Sequence, residues 1–429
     1  MTTERLYRND SFLTSFEAVV TDIREYSREN QQTLWQIALD RSAFYPTGGG
    51  QPFDLGCLRA TSRGGSLLEL PIVNVEEDEQ GEVWHFVQKP VLPGTAVQGV
   101  LDWRRRLDHM QQHSGQHLLS AVFARELGAL TLSFHMGQEL SSIDLDSAQL
   151  SESDLKRIEQ TANLLIAEDR PVSLVTLSRA EAEAELAAGS LRKLPPREGS
   201  LRIVVIEDYD RNACGGTHVR STGQIGGLLL RGTEKVSRGL RVNFVCGLRA
   251  VAAARQDAAL LAQAAQPLSI GIKELPTAVE RLRVETKSSA KELQKLREEL
   301  AQEQAARLAG EIATQAIVAG RVRWFEHNFA GRDRESLRLL AASLATASPH
   351  TLILLHSIQG ETGSVVLARS ADIDLHCGQT MRQALEALGL RGGGSPTLAQ
   401  ADLPASLVEK LCETLTALTQ AWSVGRQKN

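Results

Sequence analysis

The chain has 429 residues, and its 47 basic and 52 acidic side chains give a net charge of −5, which argues against a generally basic, non-specific nucleic-acid binder. Hydrophobic residues make up 42% and charged residues 23%, as in globular rather than disordered proteins, and the length predicts roughly two to four domains. Five scattered cysteines do not form a disulfide framework, and no secretory signal or membrane span is evident, so we expect a soluble, cytoplasmic protein with no membrane partner.

The first 96 residues contain short β-forming segments separated by turn residues, for example at residues 15–20 and 83–87, and predict a β-barrel-like domain. Within this region Gly48, Gly49 and Gly50 lack side-chain bulk and would let the backbone approach a ligand closely. The next residue, Gln51, can both donate and accept hydrogen bonds. By itself the cluster is more typical of a flexible β-turn, so its function depends on its surroundings.

Apolar residues at helical spacing predict a helix over residues 102–130 that carries two histidines four residues apart. His113 and His117 therefore share a helix face, with Cβ atoms about 6 Å apart, and both imidazoles can reach one metal ion. Ser114 follows the first histidine where the His-Glu-x-x-His metalloproteases have glutamate as general base. This difference argues against peptide hydrolysis of that kind.

Two further features near this helix are less specific. His135 could be a metal ligand, a general acid or base, or a satisfied core histidine, and without another indication the core is favoured. Three successive arginines at the start of the helix are typical of a solvated helix face: Arg104, Arg105 and Arg106. Because they precede the two histidines by roughly two to three turns, an acidic polymer approaching the site could pass them.

A second pair of candidate ligands, Cys214 and His218, lies in the segment Cys-Gly-Gly-Thr-His after a predicted buried strand at residues 201–206. The two glycines allow a tight backbone turn, so both side chains can face one centre. Each pair alone is weak evidence for a metal site. Together the four side chains supply nitrogen and sulfur donors suited to Zn²⁺, and they predict a zinc site.

The region beyond this site changes composition at residue 249, where Ala, Gln and Leu become frequent. Apolar or small residues then alternate three and four apart, as in a coiled-coil seam: Val279, Leu282, Thr286, Ser289, Leu293, Leu296 and Leu300. Thr286 and Ser289 weaken the middle of this seam, which spans roughly three heptads. Packing on the same chain and pairing in a dimer are therefore both compatible with the pattern.

The C-terminal region is predicted to be an α/β unit with strands at residues 351–355 and 364–368. A turn of three glycines, Gly392, Gly393 and Gly394, precedes the last helix, and its N–H groups could hold phosphates or cap that helix.

The predicted fold class is α+β, with four domains. Residues 1–96 are expected to form a β-barrel-like domain with the glycine-rich loop. Residues 97–248 are expected to form an α+β zinc-binding domain with helices at 152–169 and 181–188 and a hairpin at 226–245. A helical, coiled-coil segment (249–315) and a C-terminal α/β domain (316–429) follow.

In this order the motifs resemble the alanyl-tRNA editing proteins (AlaX type, long form), and they are also similar to the editing and C-terminal parts of alanyl-tRNA synthetase. The resemblance is carried by residues 44–54, 113–117, 133–137 and 214–218, followed by the heptad-like helix and residues 391–396. It covers nearly the whole chain, and the split zinc motif is its most specific part. The chain has no room for the aminoacylation and tRNA-recognition domains as well, so the resemblance implies a free-standing editor.

The resemblance implies a zinc-dependent hydrolase that removes serine, or alternatively glycine, from mischarged tRNA(Ala). It implies that His113, His117, Cys214 and His218 hold the zinc ion, and that Gln51 and the three glycines before it line the amino-acid pocket. The C-terminal domain would be a tRNA-binding domain of the DHH-associated type. Further candidates for contacts with tRNA are Arg104, Arg105, Arg106, Gly392, Gly393 and Gly394. A homodimer through the coiled coil or the C-terminal domain is compatible with this reading.

A serine-specific editing site also has a physical rationale. An alanine pocket cannot strongly reject serine, whereas a second site that hydrogen-bonds the serine hydroxyl rejects alanine, because its polar groups would otherwise stay unpaired. Ser42, Thr47 and Gln51 are the groups expected to supply that bond, and the family usually has threonine at the position of Ser42. Gln51 and His135 are the candidates for a catalytic role, with His135 placed to contact the terminal adenosine or water.

Two questions stay open at the level of sequence. The zinc ion could activate water and polarise the ester carbonyl, or it could bind the amino group or ribose and orient the substrate. Four protein ligands normally close a zinc site, so hydrolysis at the metal requires a further open position. The main alternative function is a non-catalytic RNA-binding protein with a structural zinc, and an oligomeric scaffold is a third.

Overall fold

The structure, a computed structural model, describes residues 2–29, 32–61, 65–196, 199–314 and 322–425. By its internal contacts the chain divides into two compact units, Met1–Ala264 and Ala265–Asn429. Both units mix helices with β-sheets, so the predicted α+β class is confirmed. The four-domain division remains a prediction, and its boundary at residues 315 and 316 lies outside the described residues. None of the helices described combines the length and the apolar character that crossing a membrane requires.

The described part of the N-terminal region contains nine strands: β1 (Glu4–Arg5), β2 (Ser15–Glu29), β3 (Gln32–Leu39), β4 (Arg41–Ser42), β5 (Gly56–Thr61), β6 (Leu67–Ile72), β7 (Asn74–Glu77), β8 (Val83–Val87) and β9 (Ala96–Leu101). Seven of them form one antiparallel sheet in the order β6-β5-β9-β2-β3-β8-β7. The long strand β2 joins its halves, since residues 15–19 pair with β9 and residues 20–29 pair with β3. Two register shifts in β2 bend the sheet at this junction.

The expected β-barrel-like domain is thus a curled sheet and not a closed barrel. Its edge strands β6 and β7 follow each other along the chain across Val73, which brings the two edges close together. Among the described residues these two edge strands do not pair with each other. The buried apolar residues that fill the curl include Phe44, Leu58 and Val97.

The rest of the first unit contains α1 (Trp103–Leu127), β10 (Thr131–Met136), β11 (Ser141–Leu145), α2 (Glu152–Ala167), β12 (Val172–Leu177), α3 (Arg179–Ala187), β13 (Leu201–Ile206), β14 (Asp210–Ala213), β15 (Leu228–Lys235), β16 (Leu240–Cys246) and α4 (Gly247–Ala265). The strands form two antiparallel sheets, β10-β11-β16-β15 and β12-β13-β14. The predicted helices at 102–130, 152–169 and 181–188, the strand at 201–206 and the hairpin at 226–245 are confirmed to within a few residues.

Helix α1 is the central element of this unit. Asp102 caps its start by accepting a hydrogen bond from the N–H of Arg105, and Gly128 ends it in the left-handed conformation (φ 65°). Every residue from His109 to Phe123 is buried, because α2, the β10-β11-β16-β15 sheet and the segment around Ile225 pack around the helix. Helix α1 therefore carries its polar residues, including both histidines, into the interior.

The second unit contains α5 (Leu275–Thr314), β17 (Arg323–Asn328), α6 (Arg334–Ala347), β18 (Thr351–Gln359), β19 (Thr362–Arg369), α7 (Cys377–Glu386), β20 (Gly393–Gly394), β21 (Leu398–Pro404) and α8 (Val408–Gly425). Its sheet has the order β17-β18-β19-β21-β20, with the β17–β18 pair parallel. Alternate residues of β18 and β19 contact helices on opposite faces, so α7 and α8 cover one face and α6 with the end of α5 covers the other. The two predicted strands lie within β18 and β19 and are confirmed.

The 40-residue helix α5 has two different parts. Its last turns bury Ala301, Ala305, Leu308 and Ile312 within the second unit, where the last three pack against α6 and the sheet. The apolar seam residues before them are 40–58% exposed: Val279, Leu282, Leu293, Leu296 and Leu300. The seam therefore does not pack on its own chain among the described residues, and coiled-coil pairing remains a prediction.

Candidate metal centre

Four side chains from two distant segments meet beside helix α1. His113 and His117 come from the helix, and Cys214 and His218 come from the loop after β14. Their ligand atoms all lie within 4.8 Å of one another. The Cys214 sulfur is 3.4 Å from Nε2 of His113 and 3.4 Å from Nε2 of His218. The structure thus brings together the four residues that the sequence proposed as zinc ligands.

The loop that carries Cys214 and His218 is held in place by a residue that the sequence analysis missed. Arg202, on β13, donates from Nη1 to the carbonyl of Cys214 at 3.0 Å and to that of Gly216 at 2.8 Å. Glycine is required at position 216, since a Cβ atom there would lie 2.2 Å from the His113 ring. The hydrogen bonds from Arg202 and the absence of a side chain at Gly216 thus keep the loop close to helix α1. No local sequence signal identifies Arg202 in this role.

Hydrogen bonds orient two of the imidazoles. Nδ1 of His113 lies 2.8 Å from Oε1 of Gln51, an oxygen that can only accept, so Nδ1 carries the proton and Nε2 faces the cluster with its lone pair. The same Oε1 accepts the N–H of Thr217 at 3.1 Å, while Nε2 of Gln51 donates to the Thr217 hydroxyl at 2.9 Å. Thr217, inside the Cys-Gly-Gly-Thr-His segment, is therefore a second residue that the sequence analysis missed.

Ser114 has the equivalent role for His218. Its hydroxyl oxygen accepts the N–H of Val219 at 3.2 Å and lies 3.1 Å from Nδ1 of His218. With Nδ1–H donating to this oxygen, Nε2 of His218 presents its lone pair to the cluster. The serine between the two helix histidines thus positions a ligand, which its place in the motif could have indicated.

The electrostatics of the cluster suit a metal ion. Burial lowers the pKa of His113 to about 3 and holds the pKa of His117 and His218 well below the ordinary value, so all three rings are neutral at pH 7. Burial also raises the pKa of the Cys214 thiol. Nε2 of His117 is buried without a hydrogen-bond partner among the described residues. A neutral, partly unpaired nitrogen and sulfur set fits Zn²⁺, whose binding would displace the thiol proton.

The glycine-rich turn lies next to this cluster. The backbones of Gly48 and Gln51 exchange two hydrogen bonds of 3.0 Å, and Gly50 has a φ of 85°. A Cβ atom on Gly50 would lie 2.8 Å from the ring of Phe134, which itself stacks on His113 at 5.5 Å between ring centres. Glycine is thus needed for the close approach of this turn to β10.

The three polar groups expected to bind a serine hydroxyl differ in accessibility. Gln51 is completely buried, and its amide is engaged with His113 and Thr217. Ser42 is also completely buried, with its hydroxyl 2.7 Å from Nε2 of His85. Thr47 is exposed, and its hydroxyl makes no hydrogen bond within the described part of the chain. Of the three, Thr47 is the one available to a ligand.

The other predicted contact residues near helix α1 differ in exposure. His135 is exposed on β10. Arg104 is exposed, whereas Arg105 donates from Nε to the carbonyl of Phe53 at 2.9 Å. Arg106 is 0% exposed and forms an ion pair with Asp54, so the prediction that it contacts tRNA is wrong. A buried guanidinium must be paired, and this pair ties α1 to the curled sheet.

The glycines at residues 392–394 lie in the second unit, where they allow close packing. A Cβ atom on Gly394 would lie 2.4 Å from Cα of Ala399, and one on Gly378 would lie 2.2 Å from the carbonyl oxygen of Gly394. Strand β20 can therefore approach β21 and the start of α7 only without side chains at these positions. Contact of these glycines with phosphates remains a prediction.

Part of the segment that carries two of these candidate ligands is similar to a known protein family. Residues 201–241, which include β13, Cys214 and His218, match the family described as the threonyl and alanyl tRNA synthetase second additional domain. The similarity to this family is confined to that segment of the chain.

Among curated proteins, the chain is similar to alanine–tRNA ligases. The enzyme of Pyrococcus abyssi is 33% identical over 416 residues, which make up 93% of this chain and 42% of that protein. The enzyme of Natronomonas pharaonis is 30% identical over 97% of this chain and 43% of its own length. The resemblance to the alanyl-tRNA editing and synthetase family is confirmed, and the chain spans less than half the length of these relatives.

A solved structure is also similar over the shorter stretch that it covers. The C-Ala domain of the Aquifex aeolicus alanyl-tRNA synthetase shares 24% identity, with a TM-score of 0.22, over 24% of this chain and 92% of that domain.

Proposed function

We propose that this chain is an aminoacyl-tRNA ester hydrolase that removes serine, and alternatively glycine, from mischarged tRNA(Ala). The observation that carries the proposal is the convergence of His113, His117, Cys214 and His218 beside the glycine-rich turn, in a chain related to alanine–tRNA ligases. A site of this kind suits hydrolysis of an ester and lacks the helix glutamate of metalloproteases. A cytoplasmic location of the protein and its pairing into a homodimer also remain predictions.

The chain's own residues would hold and orient the reacting groups. Gln51 and Ser114 fix two imidazoles, and Arg202 fixes the loop that carries the thiol. When bound, Zn²⁺ would supply Lewis-acid chemistry that polarises a carbonyl or orients an amino group. Cys214 is half-buried and the adjacent Gly215 is exposed, with open space beside its Cα. A substrate would therefore approach the cluster from the side of this loop.

Selection of serine would depend on groups that are free to bind its hydroxyl. Because Ser42 and Gln51 are already engaged inside the protein, we assign this contact to Thr47 and the exposed glycine turn beside it. Once the bound aminoacyl group covers this hydroxyl and excludes water, serine pairs with it and alanine leaves it unpaired, which is the asymmetry that an editing site requires.

A deacylation assay with Ser-tRNA(Ala) tests the proposal. We expect His117→Ala and Cys214→Ser to lose zinc and to lower the rate by on the order of 100-fold or more, since each removes a direct ligand. The control is Cys57→Ser, which changes a half-buried cysteine outside the cluster and should alter neither property. Full activity in a variant that no longer binds zinc would contradict the proposal.

A second candidate function has a specific observation in its favour. Four protein donors make a complete tetrahedral set, which is typical of structural zinc sites. The chain would then bind RNA without acting on it. The same assay distinguishes the two, because zinc-loaded protein that binds Ser-tRNA(Ala) and leaves the ester intact would support the structural role.

A further inference from the structure

A second group of metal-ligating side chains lies in the C-terminal unit. Glu326 on β17, His356 on β18 and Cys412 on α8 place one ligand atom each within 4.8 Å of the others. Oε1 of Glu326 is 3.6 Å from Nε2 of His356. In the parallel pair of β17 and β18, Glu326 pairs with Leu354 and His356 with Asn328, so the two residues lie diagonally on one face of the sheet. Helix α8 brings the Cys412 thiol close to both.

The bonding capacity of this group is largely unused within the described residues. Nδ1 of His356 is buried without a partner, and its Nε2 approaches only the carboxylate of Glu326. The Cys412 side chain is 4% exposed and is not in a disulfide. The carboxylate is oriented by Trp324, whose Nε1 donates to the second oxygen of Glu326 at 3.4 Å. A partly buried imidazole with an unpaired Nδ1, beside a buried thiol and a carboxylate, is an arrangement that a cation would complete.

The charge around the group also favours a cation. The three side chains open into a cleft of about 750 Å³ whose lining adds the carboxylates of Glu409 and Glu413 and the amide of Asn328. Lysine and arginine are absent from the described lining of this cleft. Its described lining thus carries three carboxylates without a basic side chain to balance them, which favours a divalent cation over the phosphates of RNA.

We propose that Glu326, His356 and Cys412 form a second metal site, separate in composition and place from the cluster on helix α1, with Zn²⁺ as the cation. One nitrogen, one sulfur and one oxygen donor suit zinc better than magnesium or calcium, which prefer oxygen ligands alone. Three protein ligands leave a coordination position open toward the cleft. The site does not depend on the proposed hydrolase activity.

Metal analysis of the full-length chain tests this site. After zinc loading and removal of excess metal, we expect about two zinc ions per chain, and one fewer in Glu326→Gln and in Cys412→Ser. Glu326 is an exposed residue, so its variant should fold even if the buried cysteine variant does not. Matched controls are Glu361→Gln, an exposed glutamate outside the cleft lining, and Cys377→Ser, a buried cysteine of the same unit; both should retain two ions.

Cobalt spectroscopy provides a second readout that is independent of activity. In Cys214→Ser the thiol of the first cluster is gone, so we expect the remaining thiolate-to-Co²⁺ absorption band to come from Cys412 and to be lost in the double variant with Cys412→Ser. An unchanged zinc content in Glu326→Gln, or a cobalt band that persists in the double variant of Cys214→Ser with Cys412→Ser, would overturn the proposal.

Discussion

At the scale of single residues, the burial of polar groups decides which parts of the predicted motifs are available to a ligand. Ser42 and Gln51 are completely buried and engaged with His85 and His113. Arg106 is likewise engaged in its ion pair with Asp54. A buried polar atom must find a partner, so these side chains hold the protein together and leave exposed neighbours such as Thr47 to face a substrate.

The imidazole of His85 should make the stability of the fold depend on pH. Burial lowers its pKa to about 4, whereas an unfolded histidine has a pKa near 6.5. Between these values the unfolded chain takes up a proton that the folded chain does not, so this contribution is present above about pH 6.5 and is lost as the pH falls toward 4. We expect the loss to be about 3 kcal/mol.

The measurement is urea unfolding at several pH values for the wild type and for His85→Gln, whose amide can still bond the Ser42 hydroxyl. The variant should lose less stability than the wild type over this range. An equal loss in both proteins would show that His85 does not control the effect.

At the scale of elements, helix α1 must lie unusually close to strand β16. Gly115 sits between the two candidate ligands of this helix, and a Cβ atom there would be 2.3 Å from the sulfur of Cys246. The glycine weakens the helix but allows the contact that places His113 and His117 in the interior.

A pair of glycine-to-alanine substitutions separates these two effects. Alanine normally stabilises a helix interior by about 0.5–1 kcal/mol relative to glycine. Gly310→Ala in α5, where nothing lies within 4 Å of the new Cβ, should show this gain. Gly115→Ala should instead lower the free energy of unfolding by about 1–3 kcal/mol, because the new methyl group overpacks the contact with β16. Urea unfolding measures both, and a gain at Gly115 would contradict the packing argument.

At the scale of the whole molecule, charge must be distributed unevenly if the chain binds tRNA. The net charge is −5, and the cleft beside Glu326 is acidic, so any RNA-binding surface is local and lies elsewhere. The proposed C-terminal tRNA-binding function therefore concerns other faces of the second unit.

Removal of residues 265–429 tests the contribution of the second unit to tRNA binding. The boundary follows the division into two compact units, and the metal cluster on α1 lies entirely in the first. We expect the KM for Ser-tRNA(Ala) to rise by roughly tenfold, about 1.4 kcal/mol of binding, with a much smaller change in kcat. Zinc content and circular dichroism of the shortened protein serve as controls for folding. An unchanged KM would remove the second unit from recognition.

The sequence by itself determined the features that depend on near neighbours. Periodicity placed helix α1, the hairpin of β15 and β16, and the strands β18 and β19, because each repeats its apolar residues over a few turns or pleats. The spacing of His113 to His117 and of Cys214 to His218 was likewise sufficient to propose the ligand set.

The tertiary structure alone decided which side chains meet and which are buried. Arg106 pairs with Asp54, 52 residues away, and Ser42 with His85, 43 residues away. Arg202 holds the ligand loop on the neighbouring strand. No local sequence pattern encodes these partners. The exposed seam of α5 and the curl that replaces a closed barrel also follow from how whole elements pack. Burial and long-range pairing are properties of the assembled chain, since each requires a partner that sequence spacing does not specify.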